Sequence, residues 1–133
     1  MYYCYDLDGV ICEDCDLQVG TQEYADFLKN AKLLFSPSKD NINDIVTGRT
    51  EEYREITEEW LKKNNIHYNN LIIKPISLKG VKNTPKYKAD YFKSVPATIF
   101  VESHTWQAIE IAKLSGKKVF SVENRQYYNA TEI

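Results

Sequence analysis

Short apolar runs alternate with amphipathic stretches along this chain, and this alternation restricts the fold more than any other feature. The apolar runs lie at residues 2–7, 43–46, 71–73, 98–101 and 118–122. Helical patterns lie between them, at residues 21–31, 50–63, 86–94 and 105–114. Apolar strands separated by helices predict a mainly parallel sheet with helices on both faces. With right-handed crossovers, the prediction is a Rossmann-like, three-layer, doubly wound α/β fold.

Length and charge limit the classes of protein to which the chain can belong. Its 133 residues predict one domain covering 1–133. The formal net charge of -2 disfavours a domain whose main work is binding a nucleic-acid backbone. No apolar run approaches the roughly 18 residues that span a bilayer, and the first residues lack the pattern of a signal peptide. We therefore expect a cytoplasmic protein with no membrane partner.

The chain has three cysteines, and an odd number favours a reducing compartment over a disulfide framework. Cys12 and Cys15 form a C-x-x-C, but the sequence offers no second pair of ligands for a structural zinc. The acidic residues around them are expected to raise the pKa values of both thiols. We interpret the pair as ordinary thiols in a loop.

Polar residues stand at the ends of three predicted strands. The first strand ends at Asp6 and Asp8. The second strand ends at Thr47-Gly48-Arg49, and the fourth ends at Glu102-Ser103-His104. In a parallel α/β sheet the ligand crevice lies beyond the carboxyl ends of the strands. The sequence therefore predicts a polar site at this edge of the sheet.

The carboxylates of Asp6 and Asp8 indicate phosphoryl chemistry. Residues two apart on an extended segment face the same side, so both carboxylates can meet one cation such as Mg²⁺. One can attack phosphorus, and the other can protonate the leaving oxygen and later activate water. Gly9 allows a turn whose N–H groups face a phosphate, and the Thr47 hydroxyl can donate to a phosphoryl oxygen. Aspartates at a strand end also form plain turns, but Thr47-Gly48-Arg49 at the next strand end favours the site.

Motifs in this order resemble those of the haloacid dehalogenase superfamily. The first is Tyr5-Asp6-Leu7-Asp8-Gly9-Val10, and the second is Ile45-Val46-Thr47-Gly48-Arg49. The third is a lysine at the start of the helix before the fourth strand, where Lys88 fits best and Lys86 is the alternative. The place of the fourth is held by Ile99-Phe100-Val101-Glu102-Ser103. The resemblance runs over nearly the whole chain, from residue 1 to about residue 122.

The resemblance implies a role for each matching residue. Asp6 resembles the nucleophile and a metal ligand, and Asp8 resembles the general acid and base, whose main-chain carbonyl also binds the metal in the family. Thr47 resembles the phosphate binder of the second motif, and Lys88 resembles the cation that neutralises the attacking carboxylate. Family members that cleave carbon–halogen bonds lack a carboxylate at the position of Asp8. The resemblance therefore implies phosphoryl transfer.

The fourth motif departs from the family pattern, because most family phosphatases carry two aspartates where this chain has Glu102 and Ser103. Glu102 keeps one carboxylate and can hold Mg²⁺ directly or through water, whereas Ser103 adds no second charge. The Glu-Ser pair resembles a bacterial and phage branch of the superfamily. Some members of that branch are joined to phosphoribosyltransferase domains, so a partner of that type is a further expectation.

The chain is too short for a full cap domain, because segments 10–44 and 50–86 hold few elements. We therefore expect an open site for a phosphorylated small molecule, a nucleotide or a nucleic-acid end, or a site closed by a second copy. The predicted function is a Mg²⁺-dependent phosphomonoesterase with an aspartyl-phosphate intermediate. The alternative is a catalytically degenerate member that binds a phosphorylated ligand or protein partner without turnover. A phosphate-accepting receiver domain is disfavoured, since Lys74-Pro75 follows strand three where its acceptor aspartate would lie.

Gly9, Gly48 and Arg49 are the predicted substrate-binding residues. Arg49 and Arg54 can each bind a substrate phosphate, or each can form an ion pair with a nearby glutamate. His104 either transfers protons beside the site or is an exposed residue that takes no part in it.

Overall fold

A six-stranded sheet organises residues 1–130, the part of the chain that the computed structural model describes. Its strands are β1 (Tyr2–Tyr5), β2 (Ile42–Thr50), β3 (Asn70–Lys74), β4 (Ile99–Glu102), β5 (Lys118–Ser121) and β6 (Gln126–Tyr128). Their spatial order is β3-β2-β1-β4-β5-β6, and all neighbours are parallel except β5 and β6. The predicted mainly parallel α/β sheet is thus confirmed. Residues 131–133 of the predicted domain lie outside the described residues.

Four helices cover the sheet, and they pack in two pairs. They are α1 (Gln22–Asn30), α2 (Arg54–Lys63), α3 (Thr84–Ser94) and α4 (Thr105–Ser115). Helix α1 packs on α2, and α3 packs on α4. Within residues 1–130, no helix combines the length and the apolar character that crossing a membrane requires.

Neighbouring residues of the central strands point into different hydrophobic clusters. Tyr5 and Ile45 belong to a cluster that includes Leu61 of α2, whereas Cys4 and Val46 belong to one that includes residues of α3 and α4. Successive side chains of a strand point to opposite faces, so each central strand supplies both cores. The sheet is therefore buried on both sides, as the three-layer prediction requires.

The structure corrects the sequence prediction at three elements. Strand β6 was not predicted, because its residues carry no apolar run; it adds to β5 through a hairpin in which Arg125 has a φ of 57°. Helix α3 begins at Thr84 and not at residue 86, because Pro85 lies in its first turn, where a missing N–H costs nothing. Strand β2 continues past residue 46 to Thr50.

Candidate active site

The carboxyl ends of the central strands bring the predicted site residues to one edge of the sheet. Asp6 follows β1 directly, and its main-chain N–H donates to the Val101 carbonyl of β4 at 2.9 Å. Glu102 is the last residue of β4, and the second motif forms the end of β2. Because β1 lies between β2 and β4, these ends are neighbours.

A cavity of about 650 Å³ opens at this edge. Five of the predicted site residues line it: Asp6, Asp8, Gly48, Arg49 and Lys88. The other three, Gly9, Thr47 and Glu102, do not line it. Glu102 and Thr47 are fully buried.

Asp6, Lys88, Glu102 and Ser103 form a buried polar cluster at the edge of this cavity. The Lys88 ammonium lies 2.7 Å from a Glu102 oxygen and 3.2 Å from Asp6 Oδ1. The Ser103 hydroxyl lies 2.8 Å from Asp6 Oδ2 and 3.0 Å from Glu102 Oε2. The main-chain N–H of Leu7 also donates to Asp6 Oδ1, at 2.8 Å. The Asp6 carboxylate is therefore fixed on three sides.

The charges of this cluster do not balance. Burial and the neighbouring Glu102 carboxylate raise the pKa of Asp6 to about 7, although Lys88 acts in the opposite direction. Burial also acts to raise the pKa of Glu102, but the charge of Lys88 and the hydrogen bonds to the Glu102 carboxylate together outweigh burial and leave the pKa lowered. Lys88 is closer to Glu102, so Glu102 holds the negative charge more firmly. The two carboxylates raise the pKa of Lys88 above its ordinary value despite burial.

Asp6 and Glu102 are the side chains of this cluster whose chemistry would suit a divalent cation. With both carboxylates ionised and one ammonium beside them, the buried cluster carries an excess negative charge. The Ser103 hydroxyl has one hydrogen but lies within bonding distance of both carboxylates. A proton on one carboxylate, or a cation held by both, would remove the excess negative charge. It would also leave the Ser103 hydroxyl with only one carboxylate to which it must donate. Among residues 1–130, however, no group of three His, Cys, Asp or Glu side chains is placed to hold a metal, so further ligands must be main-chain oxygens or water.

The Asp8 side chain is turned away from this cluster and is held by Arg49. Arg49 Nε and a terminal nitrogen contact the two Asp8 oxygens at 3.0 and 2.7 Å. The guanidinium also donates to the Thr57 hydroxyl at 2.9 Å, so α2 fixes it from behind. The partner of Arg49 is therefore an aspartate of the site and not a nearby glutamate. The Asp8 side chain remains 24% exposed toward the cavity.

An irregularity in β2 explains how Arg49 reaches Asp8. Thr47 pairs with Ile73 of β3, but the next pair is Thr50 with Lys74, so Gly48 and Arg49 bulge out of the ladder. A bulge redirects side chains at a strand end. The Thr47 hydroxyl accepts the Arg49 main-chain N–H at 3.1 Å and so helps to fix the bulge.

Two glycines of the motifs allow the main chain to pack closely around the site. A Cβ on Gly9, whose φ is 84°, would lie 2.7 Å from the Ser103 Cβ. A Cβ on Gly48 would lie 2.9 Å from a Thr84 methyl carbon. Real Cβ atoms do not tolerate such distances, so both positions need glycine for the contact itself.

The structure also places the weaker candidates. Lys86 is exposed and pairs with Asp90 at 2.8 Å, which leaves Lys88 as the lysine at the site. Arg54 pairs with Glu51 and Glu58 on the surface. His104 lines the cavity, and its Nε2 lies 3.1 Å from an Asp14 oxygen.

The two cysteines of the C-x-x-C are not joined by a disulfide. Burial and the charge of Asp8 raise the pKa of Cys12 above the ordinary value of a thiol. Burial also raises the pKa of Cys15. The interpretation as ordinary thiols is supported.

Sequence reasoning missed Lys74 and Gln107, which both line the cavity. Gln107 accepts from Lys88 at 3.3 Å. Lys74 ends β3 at the same edge as Asp6, so the rule that located the other strand ends also points to it.

Comparisons with known proteins show the fold and go no further. No family model matches the sequence, and no curated protein matches it. Among solved structures, the chain is similar to one chain of the Pnkp1/Rnl/Hen1 RNA repair complex, with a TM-score of 0.66 and 19% sequence identity. The similarity covers 90% of this chain and 41% of the other, so this chain spans about two fifths of its neighbour's length. At this identity the match supports the α/β fold, with the Rossmann-like sheet described above.

Proposed function

We propose that this chain is a phosphomonoesterase of the haloacid dehalogenase type, which depends on Mg²⁺ and works through an aspartyl-phosphate on Asp6. One observation carries the proposal: the Asp6 carboxylate lines an open cavity and is fixed there by Lys88 at 3.2 Å and Ser103 at 2.8 Å. A carboxylate held in one orientation beside a buried cation is suited to attack an electrophilic phosphorus.

In the first step, an Asp6 oxygen forms a bond to phosphorus while the bond from phosphorus to the leaving oxygen breaks. The leaving oxygen takes up a proton. In the second step, water attacks the same phosphorus, the bond to Asp6 breaks, and inorganic phosphate leaves. The Lys88 ammonium, which forms an ion pair with Asp6 in the free site, neutralises the charge that builds up on the transferring group.

Asp6 and Glu102 are the side chains that would hold Mg²⁺, with the main-chain carbonyl of Asp8 as the further ligand that the family resemblance implies. When bound, Mg²⁺ supplies positive charge that favours ionised Asp6 and offsets the charge of the phosphoryl oxygens. Ser103 then needs to donate to only one carboxylate.

Asp8 is the residue proposed to give the proton to the leaving oxygen and to activate water. In the free site both Asp8 oxygens accept hydrogen bonds from Arg49. The acid–base steps therefore require Arg49 to release at least one oxygen. A phosphoryl group in the cavity competes for the same guanidinium, since Arg49 also lines the cavity.

The proposed substrate is a phosphorylated molecule that an uncapped cavity can admit: a phosphorylated small molecule, a nucleotide or a nucleic-acid end. The solved neighbour belongs to an RNA repair complex, and this supports the nucleic-acid end among the three. A phosphoribosyltransferase-type partner and a second copy of the chain remain predictions from the sequence.

A second candidate function has its own observation. Glu102 Oε1 accepts from Lys88, and Oε2 is contacted by the Ser103 N–H and hydroxyl at 2.8 and 3.0 Å. A carboxylate already saturated in this way gains less from a metal, as expected of a member that binds a phosphorylated ligand without turnover.

Release of p-nitrophenolate from p-nitrophenyl phosphate separates the two candidates. The proposal expects release with Mg²⁺, none after EDTA treatment, and none from Asp6→Asn, which lacks the attacking carboxylate. Asp90→Asn is the matched control, because it makes the same change in an exposed aspartate paired with Lys86. Wild-type protein that is folded and metal-loaded but inactive, against this substrate and phosphorylated oligonucleotides alike, would favour the second candidate.

A further inference from the structure

Lys74 is a buried cation without an anionic partner. The residue is 2% exposed, and its ammonium donates to the Gly80 carbonyl at 3.0 Å and to the Thr84 hydroxyl at 2.9 Å. No carboxylate of the described residues lies within 4.0 Å of it, whereas the buried Lys88 has two such partners and the buried Arg49 has one. Burial and the nearby charge of Lys88 lower the pKa of Lys74. Burying a charge whose hydrogen-bond partners are all neutral oxygens costs free energy, and a bound anion would offset that cost.

Lys74 also begins a segment that carries positive charge alone. Residues 74–89 contain no Asp or Glu, and their lysines are Lys74, Lys79, Lys82, Lys86 and Lys88. The whole chain has a net charge of -2, so the segment stands out from its surroundings. A cleft wall whose charges all have one sign attracts ligands of the opposite charge and raises their local concentration.

This segment forms one wall of the cavity that contains Asp6. Lys74, Lys79, Gly80 and Thr84 line the cavity together with Asp6 and Lys88. Of the other acidic lining residues, Asp8 and Asp14 come from the chain that follows β1, whereas Glu52 follows β2 and accepts from the Thr50 hydroxyl. A phosphoryl group placed for attack by Asp6 therefore has Lys88 beside it and a further cationic wall within the same cavity.

We propose that Lys74, assisted by Lys79, binds a second phosphate group of the substrate, next to the phosphoryl group that Asp6 attacks. This inference rests on the proposed function, because Asp6 marks the position of the first phosphate. It names the substrate class: a molecule with two neighbouring phosphates, either a nucleoside bisphosphate or an oligonucleotide whose terminal phosphate adjoins a phosphodiester. A substrate with only one phosphate group would leave Lys74 without a bound anion.

Thr84 and Gly48 keep this second position near the first. Thr84 accepts from Lys74, and its methyl group packs against Gly48 of the β2 bulge. The same bulge carries Arg49 to Asp8. Lys74 is thus tied through short contacts to the part of the site that binds the first phosphate.

Binding to the full-length Asp6→Asn variant tests the inference without turnover. The probes are fluorescein-labelled short oligonucleotides with a 3′-phosphate, with a 5′-phosphate, or with neither, read by fluorescence anisotropy in Mg²⁺ at several salt concentrations. Adding Lys74→Met should raise the Kd of a terminally phosphorylated probe about 10- to 100-fold, as expected for a lost charge-assisted contact. It should also reduce the slope of log Kd against log salt by about 0.7. Unlabelled nucleoside bisphosphate and monophosphate, used as competitors, decide between the two sources of the second phosphate.

Two further variants keep the test decisive. Lys117→Met removes another lysine that has no carboxylate partner and donates to the Phe92 and Val95 carbonyls, and it should leave probe binding unchanged. Lys79→Gln changes an exposed lining residue and should weaken binding about threefold even if Lys74→Met fails to fold. Unchanged Kd and salt slope in Lys79→Gln and in folded Lys74→Met would overturn the inference.

Hydrolysis by the protein with Asp6 intact separates this inference from the proposed function. If the wild type hydrolyses p-nitrophenyl phosphate but Lys74→Met keeps the ratio of kcat/KM for oligonucleotide over p-nitrophenyl phosphate, the second-phosphate site is wrong and the function stands. If no substrate is hydrolysed but Lys74→Met and Lys79→Gln still weaken probe binding, the hydrolase is wrong and the anion site stands.

Discussion

The chemistry proposed for this site depends on one pair of carboxylates that share one buried lysine. Glu102 lies 2.7 Å from Lys88 and Asp6 lies 3.2 Å from it, and neither carboxylate is appreciably exposed. Asp6 must be ionised to attack phosphorus, yet burial and Glu102 raise its pKa to about 7. In the proposed function, a cation held by the two carboxylates would lower that pKa and leave Asp6 ionised for attack at neutral pH.

Glu102→Gln tests whether Glu102 holds that cation. The substitution keeps the shape of the side chain but removes its charge, so the affinity for Mg²⁺ should fall about 10- to 100-fold. The measurement is a Mg²⁺ titration followed by thermal unfolding, which needs no turnover. Glu110→Gln is the matched control, because Glu110 is a surface glutamate near Lys113. Equal Mg²⁺ dependence in Glu102→Gln and the wild type would remove Glu102 from the metal site.

Single residues of the site could be predicted where a motif stands at a strand end. The strand ends predict Asp6 and Glu102, the family resemblance adds Lys88 on the helix before β4, and the structure brings the three together. The pair of Arg49 with Asp8 could not be predicted, because it depends on the bulge in β2 and on Thr57 behind the guanidinium. A pairing register is a property of two strands, and no single run of residues encodes it.

At the scale of elements, the site is assembled by contact between the segments that follow β1 and β4. Gly9 follows β1 and Ser103 follows β4, and a Cβ on Gly9 would lie 2.7 Å from the Ser103 Cβ. Ser103 in turn donates to Asp6. The closeness of these two segments therefore sets the position of the proposed nucleophile.

Gly9→Ala should destabilise the protein by about 3 kcal/mol, because a positive φ and a steric clash add together. Gly20→Ala is the matched control: its φ is also positive, at 94°, but nothing lies within 4 Å of the added Cβ. It should cost only about 1 kcal/mol. Urea unfolding measures both. In a Ser103→Gly background the cost of Gly9→Ala should shrink by about 1 kcal/mol or more, and an unchanged cost would show that the clash is absent.

Five strands and four helices followed from the alternation of patterns in the sequence, and the structure contains all of them. The exceptions have local causes. Strand β6 is held by its hairpin with β5 and lies at the sheet edge, where one neighbour suffices and no strong apolar run is needed. The start of α3 was misplaced because Pro85 reads equally as a loop residue and as a first-turn residue.

At the scale of the whole molecule, the buried charge of Asp6 ties folding to pH. The pKa of Asp6 is about 7 in the folded chain and 3.8 as the ordinary value, so the folded state binds more protons between these limits. Stability therefore falls as pH rises through this window and levels off above it. The lowered pKa of Glu102 acts in the opposite sense, because the stability that its ionised carboxylate adds is lost as pH falls.

Asp6→Asn removes the part of the pH dependence of stability that comes from the raised pKa of Asp6. In EDTA, the free energy of unfolding of Asp6→Asn relative to the wild type should rise by about 2 to 3 kcal/mol between pH 5 and pH 8. Urea unfolding at several pH values measures it, with Asp90→Asn as the exposed control. Parallel curves for wild type and Asp6→Asn would mean that Asp6 titrates as an ordinary aspartate and that no cation is needed there.

The central claim, that Asp6 takes the phosphoryl group, is tested most directly by trapping it. Asp8→Asn should still be phosphorylated by p-nitrophenyl phosphate, whose leaving group needs little protonation, and should then stall for lack of a base. The measurement is acid quenching during turnover with Mg²⁺, followed by peptide mass spectrometry. The account predicts a phosphoryl group on the peptide that contains Asp6, and none in Asp6→Asn. Substrate turnover with the phosphoryl group on another residue, or undiminished turnover by carefully purified Asp6→Asn, would contradict it.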